Sequence, residues 1–204
     1  MRKFAVVIAI GAVAVTPFLS QAQTARESSR WSMELNVDGA FPAAKLGDAE
    51  LDAGLGFGGN VRVRLQRHLL AYAGWEWHHF ATDNLIASQE LDVEETGYTF
   101  GLRFEHPFRG ESSADGRALG YWLRAGGTVN HLEIENDDGD LVADTKHGLG
   151  WEAGGGLTIP LRDRLALAPG VRYRMLSRDL TIGQTTRSVT LRYVTATVGF
   201  TVAF

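Results

Sequence analysis

Residues 194–204 close the chain in unbroken two-residue alternation. Val194, Ala196, Val198, Phe200, Val202 and Phe204 fall on one face of an extended strand. Thr195, Thr197, Gly199, Thr201 and Ala203 fall on the other. Successive side chains of a strand point to opposite faces, so one face is wholly apolar and the other small or polar. The pattern runs to a final phenylalanine with no polar tail, where soluble domains usually fray. A strand with lipid on one side and its own lumen on the other reads this way.

Seven earlier segments repeat the pattern. They cover about residues 31–41, 53–65, 69–80, 96–106, 119–134, 149–159 and 165–175, and the last segment begins near Ser188. Met33, Leu35 and Val37 oppose Glu34, Asn36 and Asp38. Ala73, Trp75 and Trp77 oppose Tyr72, Gly74, Glu76 and His78. Phe100, Leu102 and Phe104 oppose Thr99, Gly101, Arg103 and Glu105. Tyr173 and Met175 oppose Arg172 and Arg174. In each segment the larger apolar groups share one face, while Gly, Thr, Asn, Arg and Glu share the other. A lipocalin-like barrel would be apolar inside and polar outside. Eight strands leave an interior wide enough only for side chains, so a Gly-rich polar face belongs on the concave side. The expected fold is all-β: an eight-stranded antiparallel transmembrane up-and-down β-barrel, closed so that no backbone edge meets lipid.

The links support this order. Residues 66–68 and 160–164 are short turns, and 107–118 is a longer one at the same end. Residues 42–52, 81–95, 135–148 and 177–187 read as four longer, polar, extracellular loops. Asp138-Gly139 signals a hairpin turn. Leu132, Ile134, Leu141 and Ala143 keep alternating, so segments five and six are expected to protrude as a hairpin. Pro169 within segment seven predicts a bulge or a rim position, because proline cannot donate to the ladder.

The N-terminus reads as a secretory signal peptide over residues 1–22. Arg2 and Lys3 precede an apolar run over 4–15, Pro17 breaks it, and Ser20-Gln21-Ala22 supplies small residues for cleavage. Residues 23–204 then form the barrel domain. With no cysteine, the chain has no disulfide framework or thiolate site. A net charge of −4 leaves no basic footprint for nucleic acid.

Ten charged residues share the inward phase: Glu34, Arg62, Arg64, Glu76, Arg103, Glu105, Arg124, Glu152, Arg172 and Arg174. Buried charges must pair or stay wet, so these are read as a lumenal charge network, with a narrow gated pore as the alternative. The loops are acidic. Asp83, Glu90, Asp92, Glu94 and Glu95 stand in one without a base, and Glu135, Asp137, Asp138, Asp140 and Asp144 in another beside Lys146. Weak divalent-cation binding shared with lipopolysaccharide phosphates would suit such carboxylates, but the spacing fits no EF-hand. Gly54, Gly56 and Gly59 spell GxGxxG, yet strand rather than helix follows. Trp31, Phe41, Phe57, Tyr72, Trp75, Trp77, Tyr121, Trp151, Tyr173 and Phe204 suit interfacial girdles. No Gly-x-Ser-x-Gly or His-x-Ser pair occurs, and His78 and His79 point to opposite faces. No catalytic residue, cofactor site or metal site is assigned.

Residues 151–174, WEAGGGLTIPLRDRLALAPGVRYR, pass from a Gly-rich strand through a short polar turn to an aromatic-basic strand. This stretch resembles the last hairpin region of the OmpA-type outer-membrane β-barrel family and its opacity-like relatives, and with the other segments the resemblance covers about residues 30–204. It implies a monomeric barrel in the outer membrane of a Gram-negative bacterium, exported through the general secretory pathway and bordered by outer-membrane lipids and lipopolysaccharide. It also implies that the barrel-assembly machinery reads the last strand, with Phe200, Val202 and Phe204 as the signal. No peptidoglycan-binding domain follows, so a wall-tethering role is not expected. The expected role is structural or adhesin-like surface interaction through four loops. The alternatives are a small gated channel and a lipid-modifying enzyme.

Overall fold

The computed structural model describes residues 29–47, 50–86, 89–108, 118–136, 140–182 and 185–204. The expected signal peptide and the Asp138-Gly139 turn lie outside these residues. Among the described residues nine strands form, in chain order β1 (Trp31–Pro42), β2 (Gly54–Gln66), β3 (Leu69–Ile86), β4 (Gln89–Pro107), β5 (Gly120–Asn136), β6 (Leu141–Asp144), β7 (Gly148–Arg162), β8 (Leu165–Ile182) and β9 (Thr185–Ala203). Every pairing is antiparallel. β1 pairs with both β2 and β9, and β4 with both β3 and β5, so the sheet closes on itself. Among the described residues the short β6 pairs with the end of β5 alone, which leaves eight strands in the wall. This is the all-β, eight-stranded antiparallel barrel that the alternation predicts. The Phe204 N–H donates to the Trp31 carbonyl at 2.9 Å, so the first and last strands meet at the end that also holds the two-residue turns at 67–68 and 163–164. We call this the turn end and the opposite one the loop end.

Two of the four predicted long loops are instead continuous wall. The β3–β4 pairing runs on through Phe80↔Val93, Ala81↔Asp92 and Thr82↔Leu91, and the β8–β9 pairing reaches Ile182↔Thr185. Beyond the lipid, the outward face has no need to be apolar. The alternation signal therefore fades while backbone groups still gain from pairing.

Outward groups of the lower wall are large, apolar and exposed. Val37 is 63% exposed, Leu55 71% and Leu149 74%. The belt circles the molecule, whereas a soluble monomer seldom shows an apolar patch beyond a few hundred Å². On β1 it runs from Trp31 to Phe41, ten steps of roughly 3.4 Å. At a tilt of about 40° this spans roughly 26 Å, the height of an outer-membrane apolar band. Aromatic groups cluster at both rims. Phe57 packs on Trp75 and Trp77 at 5.7 and 5.3 Å on the loop side, and Tyr121 packs on Phe104 and Phe108 at 6.2 and 5.6 Å on the turn side. Tyr72 departs from the expected girdle. It shares the phase of Glu76, so it points inward and is buried.

Pro169 makes no bulge. The β7–β8 pairing has the same register on either side of it, at Gly156↔Gly170 and Ile159↔Leu167, which places Leu157 opposite the proline. The proline has no N–H, and the Trp122 indole N–H donates to the Leu157 carbonyl at 3.1 Å. The ring reaches across because Gly170 has no side chain: a Cβ there would lie 2.3 Å from Trp122 Cζ2.

Above the lipid the interior inverts. Phe80, Val93, Leu132, Ile134, Leu176 and Leu191 are buried inside the loop end, joined by Ala143 of β6 and by Leu46 from the β1–β2 link. The expected β5–β6 hairpin is present, with Ile134 opposite Ala143, but Leu141 faces solvent. Outside the bilayer the wall meets water, so the apolar groups turn inward as in a soluble protein.

Candidate functional site: the lumenal charge network

Alternation sends one side chain in two into the lumen, and the strand register stacks these groups in layers. The turn-side layer centres on Glu34. Arg103 Nη1 and Arg62 Nη1 approach its Oε2 at 3.0 and 3.2 Å. Both arginines also reach Glu105 Oε1, at 2.8 and 3.3 Å. Arg62 Nη2 donates to Thr201 Oγ1 at 2.9 Å. The Arg103 guanidinium lies 4.5 Å from the Trp122 ring centroid.

In the next layer Arg172 bridges Asp38 and Glu76 at 2.8 and 2.5 Å. Arg174 pairs with Glu76 as well, donates to Glu152 Oε2 through Nε and Nη2 at 2.9 and 2.8 Å, and reaches Glu95 at 3.3 Å. Arg124 pairs with Glu152 and stacks 4.2 Å over the Tyr72 ring, whose hydroxyl donates to Glu152 at 2.7 Å. The Tyr193 hydroxyl and the Asn130 amide both donate to Glu95. Higher still, Arg178 donates to the carbonyls of Asn130, Gly148 and Leu149.

The structure buries eight of the ten candidates: Glu34, Arg62, Glu76, Arg103, Arg124, Glu152, Arg172 and Arg174. Glu105 lies half-buried at the turn-side rim. Arg64 lies beside the first turn, where its Nη1 donates to the Arg67 carbonyl at 3.0 Å. The network also recruits groups missing from that set: Asp38, Glu95, Tyr193, Asn130 and Arg178. Each continues the inward phase of its strand, so phase alone could have found them. Glu95 in particular is no loop acid; it faces Arg174 inside the barrel.

Among the described residues, Arg62, Arg103, Arg124, Arg172 and Arg174 pair with Glu34, Asp38, Glu76, Glu95, Glu152 and Glu105, and Arg178, held by backbone carbonyls and Asn130, adds the sixth positive charge. The charges balance, and most arginines serve two carboxylates. Asp38, Glu76 and His78 come close enough to hold a cation. The Arg172 guanidinium already bridges the two carboxylates, so the positive charge is supplied there. A cavity of about 280 Å³ opens at the turn end, lined by Arg62, Arg64, Arg103, Glu105, Arg162 and Arg164 among others.

On the outer wall, His79 faces Asp92 and Glu94 at 3.7 and 3.6 Å, while His78 on the opposite face is buried. Gly54, Gly56 and Gly59 all lie within β2. Glu135 lies beyond the apolar belt. Its carboxyl is held above the usual range by partial burial and by the nearby Glu94, Glu133 and Asp92 charges.

Comparison with known proteins gives a family-model match over residues 11–204, described as an outer membrane protein beta-barrel domain. Among solved structures, the chain is similar to Neisserial surface protein A, with a TM-score of 0.57 and 13% identity over 86% of this chain and 98% of that one. It is also similar to the outer membrane protein OprG from Pseudomonas aeruginosa, with a TM-score of 0.60 and 14% identity over 86% and 96% of the two chains. At such identities the likeness is one of fold. A search of curated proteins found no match.

Proposed function

The chain belongs to the outer membrane protein beta-barrel domain family, and from that premise we infer an integral outer-membrane anchor whose lumen is a structural plug and whose working surface is its loop end. The observation that carries this reading is the lumen itself. A layer of paired charges and a layer of buried apolar side chains lie in series along the barrel. An ion crossing it would have to break several buried pairs and then pass the Phe80 and Leu191 level. Breaking one such pair typically costs about 3–5 kcal/mol. The turn-end cavity supports a channel reading only as far as the buried, carboxylate-paired Arg62 and Arg103 among its lining residues.

The turn end faces the periplasm and the loop end faces outward, the usual arrangement for short turns and long extensions. The barrel is a monomer in contact with outer-membrane lipids and lipopolysaccharide. The outward run Phe200, Val202 and Phe204 on β9 is what the assembly machinery reads. The role is structural or adhesin-like, and the inward arginines and carboxylates of the network are paired with one another.

Planar-bilayer recording tests the plug. The folded full chain should give no discrete conductance steps. Reproducible steps that change in size in Arg124→Ala or Glu152→Ala would replace this reading with a channel.

A further inference from the structure

On the outer face toward the loop end lies a cluster that the lumenal network does not use. Thr96 of β4 is paired with Trp77 on one side and His131 on the other. The end of β5 and the segment entering β7 bring two imidazoles together. His131 Nδ1 lies 3.2 Å from His147 Nε2, with ring centroids 4.5 Å apart. The opposite nitrogen of the same ring, His131 Nε2, lies 2.9 Å from Glu133 Oε1. Asp144 on β6 is the register partner of Glu133, and ligand atoms of His131, Glu133 and Asp144 all lie within 4.8 Å of one another.

We propose that His131 Nδ1, His147 Nε2 and the Asp144 carboxylate form a binding site for one divalent transition-metal ion of the zinc type, with Glu133 as the residue that orients His131. Distance is the first argument. Two nitrogens each about 2.0–2.1 Å from a tetrahedral zinc ion stand roughly 3.3–3.4 Å apart, and the observed pair stands at 3.2 Å. The second argument is the carboxylate behind the ring. A metal-bound histidine commonly donates its other N–H to a carboxylate, which fixes its tautomer and aim. Glu133 stands in that position. The third is charge. Ligand atoms of Glu94, Glu133 and Glu135 lie within 4.8 Å of one another, and a divalent cation next to Glu133 offsets part of their repulsion. Imidazole with one carboxylate suits zinc, nickel or copper better than magnesium or calcium, which prefer all-oxygen shells. His147 and Asp144 are exposed, so water or an external donor can take the fourth position.

The test is calorimetric titration of Zn²⁺ into the full chain, made without a histidine tag and folded in detergent micelles. The expected result is one Zn²⁺ per chain with a Kd in the micromolar range or tighter. His131→Ala/His147→Ala should weaken binding at least 100-fold. Glu133→Gln should weaken it about 10- to 100-fold, the usual loss when an orienting carboxylate is removed. Co²⁺ in place of Zn²⁺ should give the intense visible bands of a tetrahedral site. The substituted positions lie on the outer surface, and retained fast mobility of unheated protein on a gel shows that each variant folds. Absence of stoichiometric binding by the unmodified protein would reduce the contact to a histidine–histidine hydrogen bond and overturn the proposal. Binding unchanged in the double variant would overturn it too, because the acidic groups would then be the ligands.

Discussion

Arg174→Ala is expected to destabilise the folded barrel by about 3–5 kcal/mol, the usual cost of removing one partner from a buried ionic cluster. Arg174 is 1% exposed and touches Glu76, Glu152 and Glu95. Its loss leaves Glu76 to Arg172 and Glu152 to Arg124, but Glu95 keeps no guanidinium among the contacts described. Adding Glu95→Gln should recover part of the loss, because the orphaned charge leaves with its partner. Urea unfolding in detergent micelles or lipid vesicles measures both variants. A shift below about 1 kcal/mol for the single variant would mean that water already solvates these charges, and the plug would then be a hydrated pore.

Val37→Arg is expected to cost about 2–4 kcal/mol, the penalty for an arginine at the bilayer midplane of a barrel. Val37 lies near the middle of the apolar run of β1, between Phe57 and Val198 in register, and is 63% exposed. On a water-facing surface the same exchange would fall within about ±0.5 kcal/mol. The sign and size of the effect therefore report which solvent touches this face. Unfolding from lipid vesicles reads it directly, and an unchanged midpoint would place β1 in water.

Strand phase was legible in the sequence wherever lipid imposes it. On β1, β2, β4 and β9 the exposed groups are those that alternation assigns to the apolar face, because a one-residue slip would carry every one of them into the lumen. The sequence was silent where lipid stops. Residues 81–86 and 177–182 carry no alternating apolar run in the sequence, so they read as loops although their backbones continue the strand pairing toward the loop end. The same boundary hid part of the lumenal network. Glu95 stands in an acidic stretch that suggested a solvated loop, yet it is in phase with Gly97, Thr99 and Arg103 and faces inward with them. Tyr72 shows the opposite slip, since its residue type suggested a girdle while its phase put it beside Glu76. The His131–His147 contact was out of reach, because it depends on how the β5–β6 hairpin folds back and no spacing rule encodes that.

Brominated-lipid quenching of tryptophan fluorescence tests the central claim most directly, because two of the five tryptophans sit on opposite sides of the wall. Trp151 is 47% exposed on the outer face, whereas Trp122 is 2% exposed inside, beneath Arg103. In variants that keep one of these and carry phenylalanine at the other four positions, bromines along the acyl chains should quench Trp151 strongly and leave Trp122 nearly unchanged. Equal quenching of both, or of neither, would contradict a barrel that turns its apolar exterior to lipid around a sealed polar lumen.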